Sequence, residues 1–248
     1  MQLLPAIENI QWINLGCLLW LLLCWLGYAR FARHKAKRVV CLASLMHKLR
    51  LAWMQEVMYR EVRVADTSII ANLERNVSFM ASTSIFVLAG LVTALASTDE
   101  VFRVLSSLHV TSVTTPGELQ FKFVVLISIF VYAFFTFTWS LRQFGFCCVI
   151  IGATPLLERN AGSEEISSAY ARHSGKVVDQ AAHSYNFGLR AYYYAMATLT
   201  WFIHPLLFVV AVALVVWVLY QREFKSSTLG ALAEVQQNLG KPCQANSD

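Results

Sequence analysis

The longest charge-free stretch of the chain is AYYYAMATLTWFIHPLLFVVAVALVVWVLYQ, from Ala191 to Gln221. It exceeds the roughly 20 residues that an α-helix needs to cross about 30 Å of hydrocarbon. Pro205, near its middle, removes one backbone hydrogen bond and predicts a kink. The stretch therefore predicts a kinked membrane-spanning helix and an integral membrane protein.

Three further stretches lack Asp, Glu, Lys and Arg, and each is near or above the same length. Of the 248 residues, 57% are hydrophobic and only 14% are charged, and mean hydropathy is +0.52. Soluble domains carry about 25% charged residues. We predict an all-α membrane protein with one helical domain, residues 1–225, and a polar C-terminal tail, residues 226–248. The four predicted spans are about 9–29, 76–98, 123–141 and 191–221.

Lysine and arginine are unevenly distributed between the loops. Residues 30–75 contain ten and residues 142–190 contain five, whereas residues 98–122 contain two and the tail after Gln221 contains three. The positive-inside rule predicts that both basic loops face the cytoplasm and that both termini lie outside it. The N-terminal apolar run has no preceding basic region, which predicts an uncleaved anchor and not a signal peptide.

The two basic loops have helical patterns, so we predict long cytoplasmic helical segments at about 40–75 and 142–189. A stripe of apolar residues at three- and four-residue steps runs from Leu42 to Val57 and indicates an amphipathic helix. A second stripe, from Tyr59 to Met80, predicts a long helix that enters the second span.

The uncharged run after the third span, residues 143–157, has two interpretations. It is either a helical stalk that leaves the bilayer or a re-entrant segment. Loop signals are absent until Gly152, and this favours the stalk.

A basic stretch, RFARHKAKR, follows the first span. Each basic residue beside a membrane contributes about 1 kcal/mol of attraction to anionic lipid. Anionic lipid at the cytoplasmic face is therefore the predicted partner, and no nucleic acid is expected. The predicted lipid-surface residues are Arg30, Arg33, Lys35, Lys37 and Arg38.

Asp66 is the most informative charge, because its neighbours on the helix face are mostly apolar. A buried carboxylate is costly without a partner. Arg63, Arg142 and Arg190 are the candidate partners. The contact is either an ion pair that fixes helix packing or part of a proton or ion relay.

Asn186 and Arg190 lie four residues apart and share a helix face. They could hold an anionic head group, or Arg190 could be a membrane anchor beside an aromatic belt, Tyr192 to Tyr194. The full candidate polar cluster comprises Asp66, Arg63, Asn76, Arg142, Asn186 and Arg190.

Motifs of catalysis are absent from the sequence. It has no phosphate-binding glycine loop, no GxSxG, no HExxH and no paired catalytic acids. Its six cysteines form no CxxC, and His204 has no second ligand four residues away, which argues against a metal site. We predict that the protein is not an enzyme and holds no cofactor or metal.

Several ordered segments resemble a family of bacterial and plant membrane proteins known as domain of unknown function 599. The resemblance runs from about Leu49 to Ser226 and implies the inner (cytoplasmic) membrane when the source is bacterial. It implies no activity. The segments that carry it are LRLAWMQEVMYREVRVAD, SFMASTSIFVLAG, FTFTWSLRQFGF with IGATP, YNFGLRAYYYAMATLTWF and VLYQREFKS.

Two functions fit these patterns. The first is a homo-oligomeric pore or transporter-like assembly in which the polar cluster faces a shared cavity. The alternative is a membrane scaffold or partner subunit that binds anionic lipid and, through its small-residue helix, another protein. A lipid-modifying enzyme that uses Asp66 and His204 is disfavoured, because the two residues are expected at different membrane depths.

Overall fold

The computed structural model describes residues 12–36, 38–107, 115–158 and 163–239, and these contain helices and no strands. Four helical stretches are long and apolar enough to cross a membrane: the first, third and fifth helices, and Pro205–Gln236. The all-α class and the four span-like helices are therefore confirmed. The helices are α1 (Trp12–Ala36), α2 (Leu42–Val57), α3 (Val64–Ala96), α4 (Thr98–Ser107), α5 (Pro116–Ala153), α6 (Ser163–Leu199), α7 (Pro205–Phe224) and α8 (Ser227–Leu239).

The predicted fourth span is divided into two helices. After α6 a 3-10 turn covers Thr200–Phe202, and α7 begins at Pro205. The residue before a proline avoids the helical conformation, and proline itself suits the first helical position. His204 accordingly has an extended backbone, and its Nδ1 accepts a hydrogen bond from the N–H of Leu206 at 3.1 Å. This side chain caps the start of α7.

The C-terminal half of α6 and α7 run antiparallel. Arg222 Nη1 donates to the Tyr193 hydroxyl at 2.6 Å, and Arg190 Nη2 lies 3.8 Å from Glu223 Oε2. In one continuous helix, residues 190 and 223 would be roughly 50 Å apart. The chain therefore reverses direction at the turn, and the prediction of a single kinked helix is wrong.

A buried lysine stabilises the turn between α6 and α7. Lys122 on α5 is 1% exposed, and its Nζ donates to the carbonyl of Trp201 at 3.0 Å. That carbonyl lies in the 3-10 turn that follows α6, where backbone carbonyls lose their usual helical partners. The Trp201 ring stacks on Phe208 of α7 with centroids 4.8 Å apart. One turn before Lys122, Glu118 accepts a hydrogen bond from buried Asn14 of α1 at 3.2 Å.

The middle of the bundle is packed tightly around α5 and α6. A Cβ added to Gly188 of α6 would lie 2.7 Å from Cδ1 of Phe137, which is fully buried on α5. Glycine is therefore required for the ring to approach the α6 backbone. α3 and α6 both pack on α5, α1 packs on α7, and α2 packs across α6.

The first basic loop and the C-terminal segment lie at one end of this bundle, which we call the basic end. The N–H of Ala43 donates to Glu223 Oε1 at 3.2 Å. The sequence prediction placed residues 30–75 and the tail after Gln221 on opposite sides of the membrane, and this separation is therefore wrong. The predicted polar tail also begins with helix α8, which contacts α2.

The structure also defines the boundaries of α5 and α3. α5 runs without a break from Pro116 to Ala153, so the run after the third span continues as a helix. That this helix leaves the bilayer as a stalk stays a prediction. The Pro-Gly pair starts this helix: Pro116 occupies its first turn, and the Thr115 side chain accepts a hydrogen bond from the N–H of Glu118. α3 begins at Val64, not at Tyr59, after a turn that separates it from α2.

Candidate functional site

Asp66 is fully buried at the basic end. Its Oδ1 accepts hydrogen bonds from Trp53 Nε1 and from Arg60 Nη1, each at 2.6 Å. Oδ2 is buried and has no hydrogen-bond partner within the described ranges. Arg60, in the turn between α2 and α3, is thus its ion-pair partner, and the three predicted partner arginines are not. The pair joins α3 to α2 and its following turn.

Arg63 instead caps the C-terminal ends of two helices, α2 and α5. Its Nε donates to the carbonyl of Val57 at 3.1 Å, and its Nη2 donates to the carbonyl of Pro155 at 3.0 Å. Nη1 also donates to the carbonyl of Thr154. A guanidinium that satisfies the terminal carbonyls of α2 and α5 has a structural role.

Asn76 and Asn186 line one cavity of about 450 Å³ between α2, α3, α5 and α6. We call it the amide cavity. Both asparagines are exposed, and neither side chain has a hydrogen-bond partner in the part of the chain that the structure describes. The remaining lining is mostly apolar: Met46, Leu49, Arg50, Trp53, Ile69, Leu73, Val77, Phe144, Val178, Ala182 and Tyr185.

Arg142 and Arg190 lie apart from Asp66. Arg142 is exposed, and its guanidinium lies 5.8 Å from the ring centroid of Phe146. Arg190 pairs with Glu223, as described above, and lies 5.5 Å from the ring centroid of Tyr28 on α1. The predicted polar cluster is therefore not one site, because only Asn76 and Asn186 share a cavity.

A second cavity of about 720 Å³ lies between α2, α5 and α6. It is more open and more polar, and we call it the cationic pocket. At its edge, Asp179 accepts a hydrogen bond from Arg50 Nη1 at 2.6 Å. His47 Nδ1 lies 3.3 Å from Asp179 Oδ2 without hydrogen-bond geometry. The pocket is lined by His47, Leu51, Trp139, Gln143, Arg172, Lys176, Asp179, Gln180, His183, Ser184 and Phe187.

Two cations of this pocket are unpaired. Arg172 and Lys176 are exposed on successive turns of α6, and neither has an acidic partner among the residues that the structure covers. Asp179 is already engaged by Arg50. The pocket therefore has a surplus of positive charge and suits an anion. Sequence reasoning missed it, although Arg172, Lys176 and Asp179 recur at helical spacing on one face.

The predicted lipid-surface residues have different environments. Arg30, Arg33 and Arg38 are exposed at the basic end, and Lys37 lies outside the described residues. Lys35 is instead engaged within the protein. Its Nζ donates to the Tyr220 hydroxyl at 2.7 Å and lies 4.9 Å from the ring centroid of Phe224. It joins α1 to α7.

Metal-ligating side chains do not gather in groups of three or more anywhere in residues 12–36, 38–107, 115–158 and 163–239. The amide cavity and the cationic pocket are the cavities that contain residues with ligand-binding chemistry; a third cavity, between α1 and α7, has a lining that is mostly apolar.

Comparison with known protein families identifies the chain. A family model described as "Protein of unknown function, DUF599" matches residues 17–228. The chain belongs to the DUF599 family. The matched range extends from α1 into α8 and includes every residue that lines either cavity of this DUF599 protein. Comparisons with curated proteins and with solved structures give no match. Function is therefore argued from the two sites.

Proposed function

We propose that this DUF599 protein binds the anionic head group of a membrane lipid in the cationic pocket, at the cytoplasmic face of the membrane. The observation that carries the proposal is the pair of unpaired cations, Arg172 and Lys176, on a pocket wall where Asp179 is already neutralised by Arg50. A phosphate between these side chains would receive charge-assisted hydrogen bonds.

The aromatic part of the pocket lining favours a lipid over a soluble anion. It includes Trp139 and Phe187, and Trp139 is 52% exposed. Tryptophan is enriched where the bilayer meets water, because its ring is apolar and its N–H is polar. Trp139 also lies near the end of the charge-free run of α5, three residues before Arg142. An anionic head above an apolar wall matches an amphiphile at this depth.

The orientation rests on the reversal between α6 and α7. With the C-terminal half of α6 as a fifth crossing, the segments 30–75, 142–190 and the tail after Gln221 share one side and carry ten, five and three basic residues. Residues 98–122, on the other side, carry two. The positive-inside rule then places the basic end and the C-terminus in the cytoplasm and the N-terminus outside.

A lipid-binding measurement tests this function. The full-length protein in detergent would be titrated with dioleoylphosphatidylglycerol and, as the uncharged-head comparison, dioleoylphosphatidylcholine, with bound lipid counted by native mass spectrometry. Arg172→Gln with Lys176→Gln should weaken binding of the anionic lipid about tenfold, which corresponds to about 1.4 kcal/mol. The matched control is Lys48→Gln with Arg75→Gln, which removes two exposed charges outside both the pocket and the predicted lipid-surface residues.

Equal weakening by both pairs would mean that general surface charge attracts the lipid, and would overturn the specific site. Equal binding of the two lipids by the unaltered protein would overturn the proposal that the pocket recognises an anionic head group.

The homo-oligomeric pore or transporter stays a prediction with less support. Asp66, expected to face a shared cavity, is fully buried and paired inside the protomer, and Arg190 is held by Glu223. Ion flux through proteoliposomes above that of empty vesicles would restore it.

A further inference from the structure

We propose that the amide cavity is a second, separate binding site, which takes an uncharged lipid with an apolar body and a head group of hydroxyl or carbonyl oxygens. The two cavities have no lining residue in common, and only the ion pair between Arg50 and Asp179 joins their walls.

The size and walls of the cavity define the body of the ligand. Its volume of about 450 Å³ falls within the roughly 300–1,000 Å³ of small-molecule sites. Leu73 and Val77 of α3, Phe144 of α5 and Val178 of α6 supply apolar walls on three sides. Apolar surface of this kind favours hydrocarbon over water.

Two amides define the head group. Asn76 and Asn186 come from different helices, line the same cavity, and have no hydrogen-bond partners within the described residues. An amide side chain offers two donors and an acceptor oxygen. A hydroxyl or carbonyl group beside them could exchange hydrogen bonds with either amide in place of water.

The charge balance favours an uncharged head group. Arg50 is the only charged residue among those that line the cavity, and its guanidinium is already paired with Asp179 at 2.6 Å. A charged head group would therefore gain no counter-ion from the lining of the cavity, and an uncharged head group needs none.

The position of the amides gives a route from the membrane. Asn76 is the first residue of the charge-free run in α3, and Asn186 lies four residues before Arg190, which precedes the final charge-free run. Both asparagines are exposed while lining the cavity. They therefore mark a mouth at the depth where lipid head groups lie, and a lipid can enter laterally.

Binding of two uncharged probes to the full-length protein in detergent tests the proposal. Dioleoylglycerol presents a hydroxyl and ester carbonyls, whereas decylubiquinone presents ring carbonyls. The two probes therefore show which kind of head-group oxygen the site binds. We expect one molecule of at least one probe per protomer by native mass spectrometry. Ala182→Phe, which fills the cavity, should weaken that binding at least tenfold, and Asn76→Leu with Asn186→Leu should weaken it while leaving the walls intact.

Asn72→Leu is the matched control, because Asn72 is an exposed asparagine one turn earlier on α3 and does not line the cavity. It should bind like the unaltered protein. Arg172→Gln with Lys176→Gln should also leave binding of the uncharged probe unchanged, which separates this site from the cationic pocket. Absence of binding by both probes would overturn the proposal. Binding that survives both the cavity-filling variant and the double asparagine variant, in protein with unchanged thermal stability, would overturn it as well.

Discussion

The two ends of the bundle use polar residues in different ways. At the end where the chain reverses, Lys122 and His204 form hydrogen bonds with backbone groups of the turn and of the first turn of α7. At the basic end Arg63 has a comparable role, but Asn186 and Arg172 line cavities without partners among the residues that the structure covers. A polar group that the fold does not use is the better candidate for a ligand contact. The basic end therefore combines structural contacts with polar side chains that are available to a ligand, whereas the polar side chains at the other end are used by the fold.

Removal of the buried lysine should have the largest effect on stability. Lys122→Met keeps the bulk of the side chain but leaves the Trp201 carbonyl without its donor and removes the positive charge beside Glu118. We expect a loss of about 3 kcal/mol, measured as the largest fall in melting temperature of the set in detergent. Arg103→Met, which removes an exposed charge at the same end, is the control. Similar melting temperatures for the two variants would contradict a structural role for Lys122.

The close packing of α5 against α6 at Gly188 predicts the next effect. Gly188→Ala would bring a methyl group against the buried ring of Phe137 and should cost about 1–3 kcal/mol. Gly90→Ala is the matched control, because nothing lies within 4 Å of a Cβ added there. That variant should be neutral or slightly more stable. Thermal unfolding followed by circular dichroism measures both, and a stable Gly188→Ala protein would refute the close approach.

At the basic end, Asp66 should behave as a structural acceptor. Asp66→Asn keeps an oxygen for the Trp53 N–H, whereas Asp66→Leu leaves both Trp53 and Arg60 without their acceptor. We expect Asp66→Leu to cost about 1–3 kcal/mol more than Asp66→Asn. Equal losses in thermal denaturation would argue against this hydrogen-bonded role and for a functional use of the carboxylate.

The smallest effect concerns the pairing of α6 with α7. Arg190→Ala removes a partly exposed ion pair with Glu223 and the contact with Tyr28, whereas Tyr193→Phe removes only the hydroxyl that Arg222 approaches. Solvent weakens such contacts, so we expect a loss of about 1 kcal/mol for Arg190→Ala and less for Tyr193→Phe. A greater loss for Tyr193→Phe in the same melting assay would reverse the assignment of the stronger contact.

Charge gaps predicted most of the helices because hydrocarbon excludes ionised side chains wherever a helix crosses it. They could not register a reversal inside the run 191–221, because a turn buried by Lys122 and Trp201 needs no charge of its own. The sequence signal for the reversal was the pair His204 and Pro205. A proline at the first position of a helix and a proline kink within one look alike in sequence.

The sites were predicted less completely, since they depend on tertiary contacts. Asp66 was identified because it interrupts an apolar stripe, yet its partner Arg60 is reached only through the turn between α2 and α3. The contact between Arg50 and Asp179 joins residues 129 positions apart, so no local pattern indicates it. Asn76 and Asn186 were both in the predicted polar cluster, but their shared cavity depends on α2, which supplies part of its lining.

Chemical cross-linking in the membrane can detect the reversal between α6 and α7. Tyr193→Cys and Arg222→Cys would be combined in a protein whose six native cysteines are replaced by alanine, and treated with a short bismaleimide. We expect efficient intramolecular cross-linking, because the two native side chains are in contact at 2.6 Å. Arg103→Cys with Arg222→Cys, from opposite ends of the bundle, should not cross-link. In a continuous helix, residues 193 and 222 would be roughly 44 Å apart, and absence of the cross-link in folded protein would contradict the reversal.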